Sequence, residues 1–87
     1  MADLHLPTTL LPLFDDLPRR LEIDATTVGE AIACLDKRWP GLRDRLCEQG
    51  FALRPHINVY VDRERGGLDT ALHTRSRVDV IAAISGG

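Results

Sequence analysis

The chain is poor in the things that would commit an 87-residue protein to a special chemistry. It has 2 cysteines, Cys34 and Cys47, thirteen residues apart. They form no C-x-x-C pair, and two thiols alone cannot complete a metal site. A small secreted domain stapled by disulfides would carry more, so both are read as reduced thiols of a cytoplasmic protein. No apolar run approaches the ~20 residues that cross a bilayer, which excludes a membrane span. The N-terminal "MADLHLPTTLLPLF" lacks a basic segment and holds Pro7 and Pro12, so it does not read as a signal peptide. There is no basic surplus: the formal net charge is -2. A nucleic-acid grip needs the opposite sign. Repeats, linkers and low-complexity tracts are missing too.

What is present describes a small globular domain. The apolar fraction is 44% and the charged fraction 28%, enough for a modest core. "ADLHL" alternates Ala2, Leu4 and Leu6 against Asp3 and His5, the period of a strand. "PTTLLPLFDDLP" is broken by three prolines, and its Leu10, Leu11, Leu13 and Phe14 are expected to tuck onto the core from a long turn. "RRLEID" places Leu21 and Ile23 on one face of a second strand, antiparallel to the first. Thr27 then starts a helix, with Glu30 three residues on as the other half of a capping box. Val28, Ile32, Leu35 and Trp39 share one helical face, and Pro40-Gly41 ends it. Leu42 and Leu46 mark a second short helical segment closed by Gly50. "HINVYVD" alternates again, with Ile57, Val59 and Val61 inward and Asn58 and Tyr60 outward. Gly66 and Gly67 are expected to supply the free dihedrals of the next turn, and "LDTAL" a single helical turn. The last strand covers 77–84. Val78, Val80, Ala82 and Ile84 lie on one face; Arg77, Asp79, Ile81 and Ala83 lie on the other. One amphipathic helix needs a sheet to cover it, and the chain from strand two to strand three reads as a crossover. The fold class is α+β, a roll of one main helix and a short helical segment on a mixed sheet of about four to five strands.

No catalytic constellation emerges. His5, His56 and His73 stand in no metal-binding spacing and read as surface histidines. Asp15 and Asp16 sit in a proline-bounded, solvated turn. No serine lies in a nucleophile context. Neither cysteine has the basic cluster or helix start that would activate it, and both read as packing residues. "RGG" at 65–67 is too short to cradle phosphate. The expectation is therefore no catalytic residue, no metal and no bound cofactor.

The end of the sequence is the informative part. "VDVIAAI" runs straight into Ser85, Gly86 and Gly87. Two residues without Cβ can thread a narrow channel and bring their backbone close to a partner's reacting atoms. Outward Ile81 and Ala83, with Tyr60 on the neighbouring strand, fit a docking surface beside that arm; a plain sheet surface accounts for them equally well.

"TVGEAIACLDKRWPGLRDRL", "INVYVD", "GLDTAL" and "VDVIAAISGG" together resemble the MoaD/ThiS-type sulfur-carrier family, closest to its CysO-like branch. The resemblance runs in order from about residue 2 to residue 87. It implies a ubiquitin-like β-grasp fold forming one domain over 1–87, with a flexible Gly-Gly tail over 84–87. It further implies that an E1-like (MoeB/ThiF-type) enzyme spends ATP to adenylate the Gly87 carboxylate. A sulfur donor then yields a thiocarboxylate, and a downstream synthase takes its sulfur into cysteine or another metabolite. Gly86, Ser85 and Ile84 would be the part of the tail the partner reads. A molybdopterin-synthase small subunit, or a modifier conjugated to lysines, shares the same activation step. In each case the chain is a co-substrate rather than an enzyme, binds neither nucleic acid nor membrane, and is monomeric when free. Two surface loops, "RERGG" and "HTRSR", depart from the family pattern and bear on which partner is recognised.

Overall fold

The computed structural model describes residues 1–48 and 52–83. Strand β1 (Ala2–His5) is followed by a 3-10 helix (Thr8–Leu13), β2 (Arg20–Ile23), α1 (Val28–Arg38) and α2 (Leu42–Leu46). Then come β3 (Cys47–Glu48), β4 (Ala52–Leu53), β5 (Ile57–Val61), β6 (Glu64–Gly66) and β7 (Arg77–Ala82). The main sheet has five strands in the order β2-β1-β7-β5-β6. β1 and β7 are parallel, with Leu4 opposite Val78; the other pairings are antiparallel. β2 and β5 therefore run the same way with two strands between them, and α1 and α2 lie in the crossover that joins them.

One face of the sheet and one face of α1 make the core. Leu4, Ile23, Val59, Val78 and Val80 from the strands are buried with Val28, Ala31, Ile32 and Leu35 from α1. Leu42 and Leu46 from α2 are fully buried in the same cluster. The period-2 and period-3.6 patterns thus meet in one apolar layer, as each element alone requires.

The start of α1 is fixed by two sets of contacts. The Thr27 hydroxyl accepts from the Glu30 N–H at 3.1 Å. The Glu30 carboxylate reaches back one residue further than a standard box, to the Thr26 N–H (3.2 Å) and hydroxyl (2.9 Å). The next free amides are taken by the "GLDT" loop: Val28 N–H donates to the Thr70 carbonyl and Gly29 N–H to that of Leu68, at 3.1 and 2.8 Å. An added Cβ on Gly29 would stand 3.2 Å from the Leu68 oxygen, so the "TVGE" glycine is the one that lets this loop close onto the helix end.

Four local expectations change. The 7–18 segment holds a 3-10 helix, which the fixed φ of Pro12 accommodates. Leu10 and Leu17 are its buried residues, whereas Leu13 is 50% exposed. The turn after β5 uses Asp62 and Arg63, at φ 50° and 73°, instead of the two glycines. With Val61 opposite Glu64, this is a two-residue hairpin whose twist demands positive φ at both central positions. Gly66 lies instead in β6. "LDTAL" closes a single turn, Thr70 N–H to Gly67 carbonyl at 3.1 Å, before Ala71 bridges to Thr27. Finally, Cys47–Glu48 and Ala52–Leu53 pair as a small two-stranded ribbon that the sequence pattern did not announce. Gly50 lies outside the described residues.

Candidate functional site

The site of interest is the end of β7, because the chain leaves the sheet there. β7 is central, flanked by β1 and β5. Its last residues are tied to β5: Ala82 stands opposite Ile57, Ile81 opposite Asn58. The Ala83 N–H donates to the His56 carbonyl at 2.7 Å. The backbone is thus anchored by a central strand up to Ala83. Ile84, Ser85, Gly86 and Gly87, the tail residues singled out from the sequence, lie outside the described residues.

The predicted docking residues are brought to one face. Alternation along β7 and β5 puts Ile81, Tyr60 and Asn58 on the side away from α1, and Ala83 is exposed just beyond. Most of that face is charged and internally paired. The Arg20 Nε donates to Asp3 Oδ1 at 2.9 Å, Arg77 Nε to Asp79 Oδ2 at 3.0 Å, and an Arg65 nitrogen to Asn58 Oδ1 at 3.0 Å. His5 Nε2 stands 3.2 Å from Asp3 Oδ2. The Arg20 guanidinium, opposed in part by desolvation and helped by His5, holds the Asp3 carboxyl below its ordinary value. Against this paired background Ile81, 46% exposed at the end of β7, is the one large aliphatic side chain of the face left in water among the described residues.

Two grooves flank this root of the tail, separated by Pro7 and Thr9. The outer one, about 370 Å³, is bounded by His5, Arg19, Asp79 and Ile81. The other, about 380 Å³, opens on the opposite side between the 3-10 helix, α2 and the start of β5, with Leu13, Arg45, Arg54 and His56 at its walls. The sequence reading missed this second groove, because its walls come from segments far apart in the chain.

Of the remaining candidates, His5 and His56 line the two grooves beside the root, and the others lie on neither wall. Asp15 and Asp16 are exposed, and Asp15 contributes only its carbonyl, which accepts from the Trp39 indole N–H at 3.0 Å. His56 and His73 are exposed and His5 is half-buried. Cys34 is half-buried and Cys47 buried, both as free thiols. Burial pushes the Cys47 thiol above its ordinary value, partly offset by Arg43 and Arg54. Among the described residues no group of three or more His, Cys, Asp or Glu is placed to hold a metal ion. No helix among them is long and apolar enough to cross a membrane.

No family model matches the sequence. Among solved structures, the chain superposes on the Amycolatopsis orientalis BexX/CysO complex with TM-score 0.86 and 27% identity, covering all of both chains. It superposes on Mycobacterium tuberculosis CysO with TM-score 0.85 and 26% identity, covering 97% of this chain and 100% of that one. SAMP1 from Haloferax volcanii gives TM-score 0.76 at 27% identity, over 99% and 98% of the two chains. The fold is accordingly the ubiquitin-like β-grasp, shared with small carrier and modifier proteins. In sequence, small archaeal modifier protein 3 of Haloferax volcanii is 34% identical over 68 residues, 74% of this chain and 73% of that protein. On that identity, over a fold with five strands in β-grasp order, the chain belongs to the MoaD/ThiS-type family of ubiquitin-like sulfur carriers and modifiers, on its CysO-like side.

Proposed function

We propose that this chain is a sulfur carrier that works through the carboxylate of Gly87. An E1-like, MoeB/ThiF-type enzyme binds the folded body in the cytoplasm and draws the tail to ATP. A Gly87 carboxylate oxygen attacks the α-phosphorus, pyrophosphate leaves, and an acyl-adenylate forms. Hydrosulfide equivalents from a sulfur donor then attack the carbonyl carbon; the C–S bond forms as the C–O bond to AMP breaks. The resulting thiocarboxylate passes its sulfur to a synthase that makes cysteine or another sulfur-containing metabolite. A free carboxylate is a poor electrophile, and adenylation supplies the leaving group. Holding the acyl end in the partner's site makes the attack effectively intramolecular. Beyond that carboxylate, the carrier contributes no side-chain acid, base or nucleophile.

The observation that supports this most is the placement of β7. A central strand, hydrogen-bonded on both edges, carries the chain to Ala83 beside exposed Ile81, and Ser85-Gly86-Gly87 follow within four residues. Likeness to two CysO structures at TM-scores of 0.86 and 0.85 favours the sulfur-carrier reading. A second reading, conjugation of the same activated end to lysine amines, is favoured by the relative named a modifier. A third, the molybdopterin-synthase small subunit, shares the activation.

The test is intact mass after incubation with ATP, an E1-like enzyme of the same genome and sulfide. A gain of about 16 Da, one oxygen exchanged for sulfur, is expected. Deletion of Gly87 should abolish the gain and leave the melting temperature unchanged, since the buried core spans Ala2 to Val80. An unmodified mass with every such enzyme rejects the carrier. Slow-migrating conjugates on a denaturing gel that vanish without Gly87 select the modifier instead.

A further inference from the structure

The groove between the 3-10 helix, α2 and β5 is lined by basic side chains that have no ion-pair partner among the described residues. The chain as a whole is at -2, yet Arg45, Arg54 and His56 line this groove against a single acidic residue, Asp44. Asp44 engages Arg54 through its backbone: the Arg54 Nε donates to the Asp44 carbonyl at 2.9 Å. That bond holds Arg54 through its Nε, and its two terminal nitrogens have no hydrogen-bond partner among the described residues. Neither Arg45 nor Arg54 belongs to an ion pair among the described residues, where the pairs are His5–Asp3, Arg20–Asp3 and Arg77–Asp79. The outer groove has the same balance, Arg19, Arg77 and His5 against Asp79, but there Arg77 pairs with Asp79 and His5 with Asp3, so Arg19 is its single unpaired guanidinium among the described residues. Beside the basic pair stands Leu13, 50% exposed although it belongs to a segment whose other leucines pack on the core. Ala82 lines this groove, as it does the outer one, one residue before the last anchored amide, that of Ala83.

We infer that this groove is a docking site for an acidic segment of the enzyme that activates the C-terminal carboxylate, with Leu13 as its apolar anchor and Arg45 and Arg54 as its charged pair. The inference rests on the proposed carrier function. It commits to the activating enzyme because adenylation comes first in sulfur transfer and in lysine conjugation alike. An occupant here and one on the Ile81 face would grip the root of the tail from both sides, which fixes the direction in which the arm leaves. Complementary charge at such a rim mainly raises the association rate and sets register.

The test follows ATP–pyrophosphate exchange by an E1-like enzyme of the same genome while the concentration of the full chain is varied. The R45E/R54E variant should raise KM for the carrier about tenfold and leave kcat within about twofold, and the wild-type KM should climb with salt. The control is R63E/R75E, which changes net charge by the same amount at the opposite end of the sheet. It should move KM by less than about threefold. Thermal melts verify that the variants fold; should the charge reversals unfold the chain, R45Q/R54Q carries the test with a smaller rise in KM. An unchanged KM, an equal rise in the control, or a loss confined to kcat overturns the assignment. So does competition by inorganic phosphate at constant ionic strength, which would make the groove a small-anion site, or a dimer in sedimentation that R45E/R54E dissolves. Exchange by the wild type with an unaltered KM in R45E/R54E removes the docking site alone. Absence of exchange by the wild type removes the carrier function and the docking site together.

Discussion

Gly66 shows how much a single missing side chain can decide. A Cβ built there would lie 2.6 Å from the Thr70 hydroxyl oxygen and 3.1 Å from its Cβ. That hydroxyl accepts the Gly67 N–H at 2.8 Å, so it cannot simply swing away. Gly66→Ala should therefore cost about 1–2 kcal/mol, after the gain from a less flexible unfolded chain. Thr70→Ala in the same chain should recover part of the loss, and a double-mutant cycle from urea melts measures that coupling. Additive losses would mean the two residues do not share the crowding. Cys47 offers a second check. Its thiol is buried and raised above its ordinary value mainly by desolvation, so thiolate is scarcer than for an exposed cysteine at any working pH. Native alkylation at mildly alkaline pH should mark half-buried Cys34 first and reach Cys47 only as the protein unfolds. Equal labelling rates would contradict that burial.

Among elements, the β1–β2 pair carries the clearest pH dependence. Asp3 stands directly opposite Glu22 in register, an unfavourable like-charge neighbour, and is rescued by the diagonal Arg20. The folded carboxyl titrates below the ordinary 3.8 chiefly because of Arg20. A carboxyl depressed in the folded state adds stability above the unfolded value and loses it as pH falls through the folded one. Asp3→Asn should therefore lower stability by less than about 1 kcal/mol near neutral pH, since the pair is largely exposed. The gap to the wild type should close below about pH 4, a convergence that melting temperatures across that range test directly. The same elements show what the sequence could and could not disclose. Alternation in "ADLHL" and "INVYV" and the 3.6 period of Val28, Ile32 and Leu35 marked β1, β5 and α1 because each buries one face. Thr27 and Glu30 marked the helix start because capping is local chemistry. The hairpin at Asp62-Arg63 was hidden, since glycine is the usual donor of positive φ and two glycines stood three residues downstream. The β3–β4 ribbon is too short for any period to show. The basic groove was hidden for another reason: Leu13, Arg45 and His56 meet only after the crossover has been packed.

At the scale of the whole molecule, the parallel pairing of β1 with β7 gives the sheet a polarity that function can be expected to exploit. Asp3 pairs with Arg77 and His5 with Asp79, so both strands start at one end and point toward the other. Met1, 62% exposed, its carbonyl bonded by the Arg75 N–H at 3.0 Å, lies at the starting end. Ala82, Ile81 and both grooves lie at the finishing end. A peptide tag fused before Met1 is thereby kept a strand length from the root of the tail. One fused after Gly87 replaces the carboxylate by an amide, which cannot displace pyrophosphate from ATP. Neither fusion touches the core between Ala2 and Val80. The two tagged chains should therefore melt within a few degrees of each other and of the untagged protein, and differ completely in activation. With ATP, the E1-like enzyme and sulfide, the N-terminally tagged chain should gain sulfur as readily as the untagged one, and the C-terminally tagged chain not at all by intact mass. If the C-terminally tagged chain gained sulfur, the acceptor would lie elsewhere in the molecule, and Cys34 and Cys47 would be the first residues to map. If the N-terminal tag blocked the gain, recognition by the enzyme would reach the starting end of the sheet, away from Ile81 and from the basic groove alike.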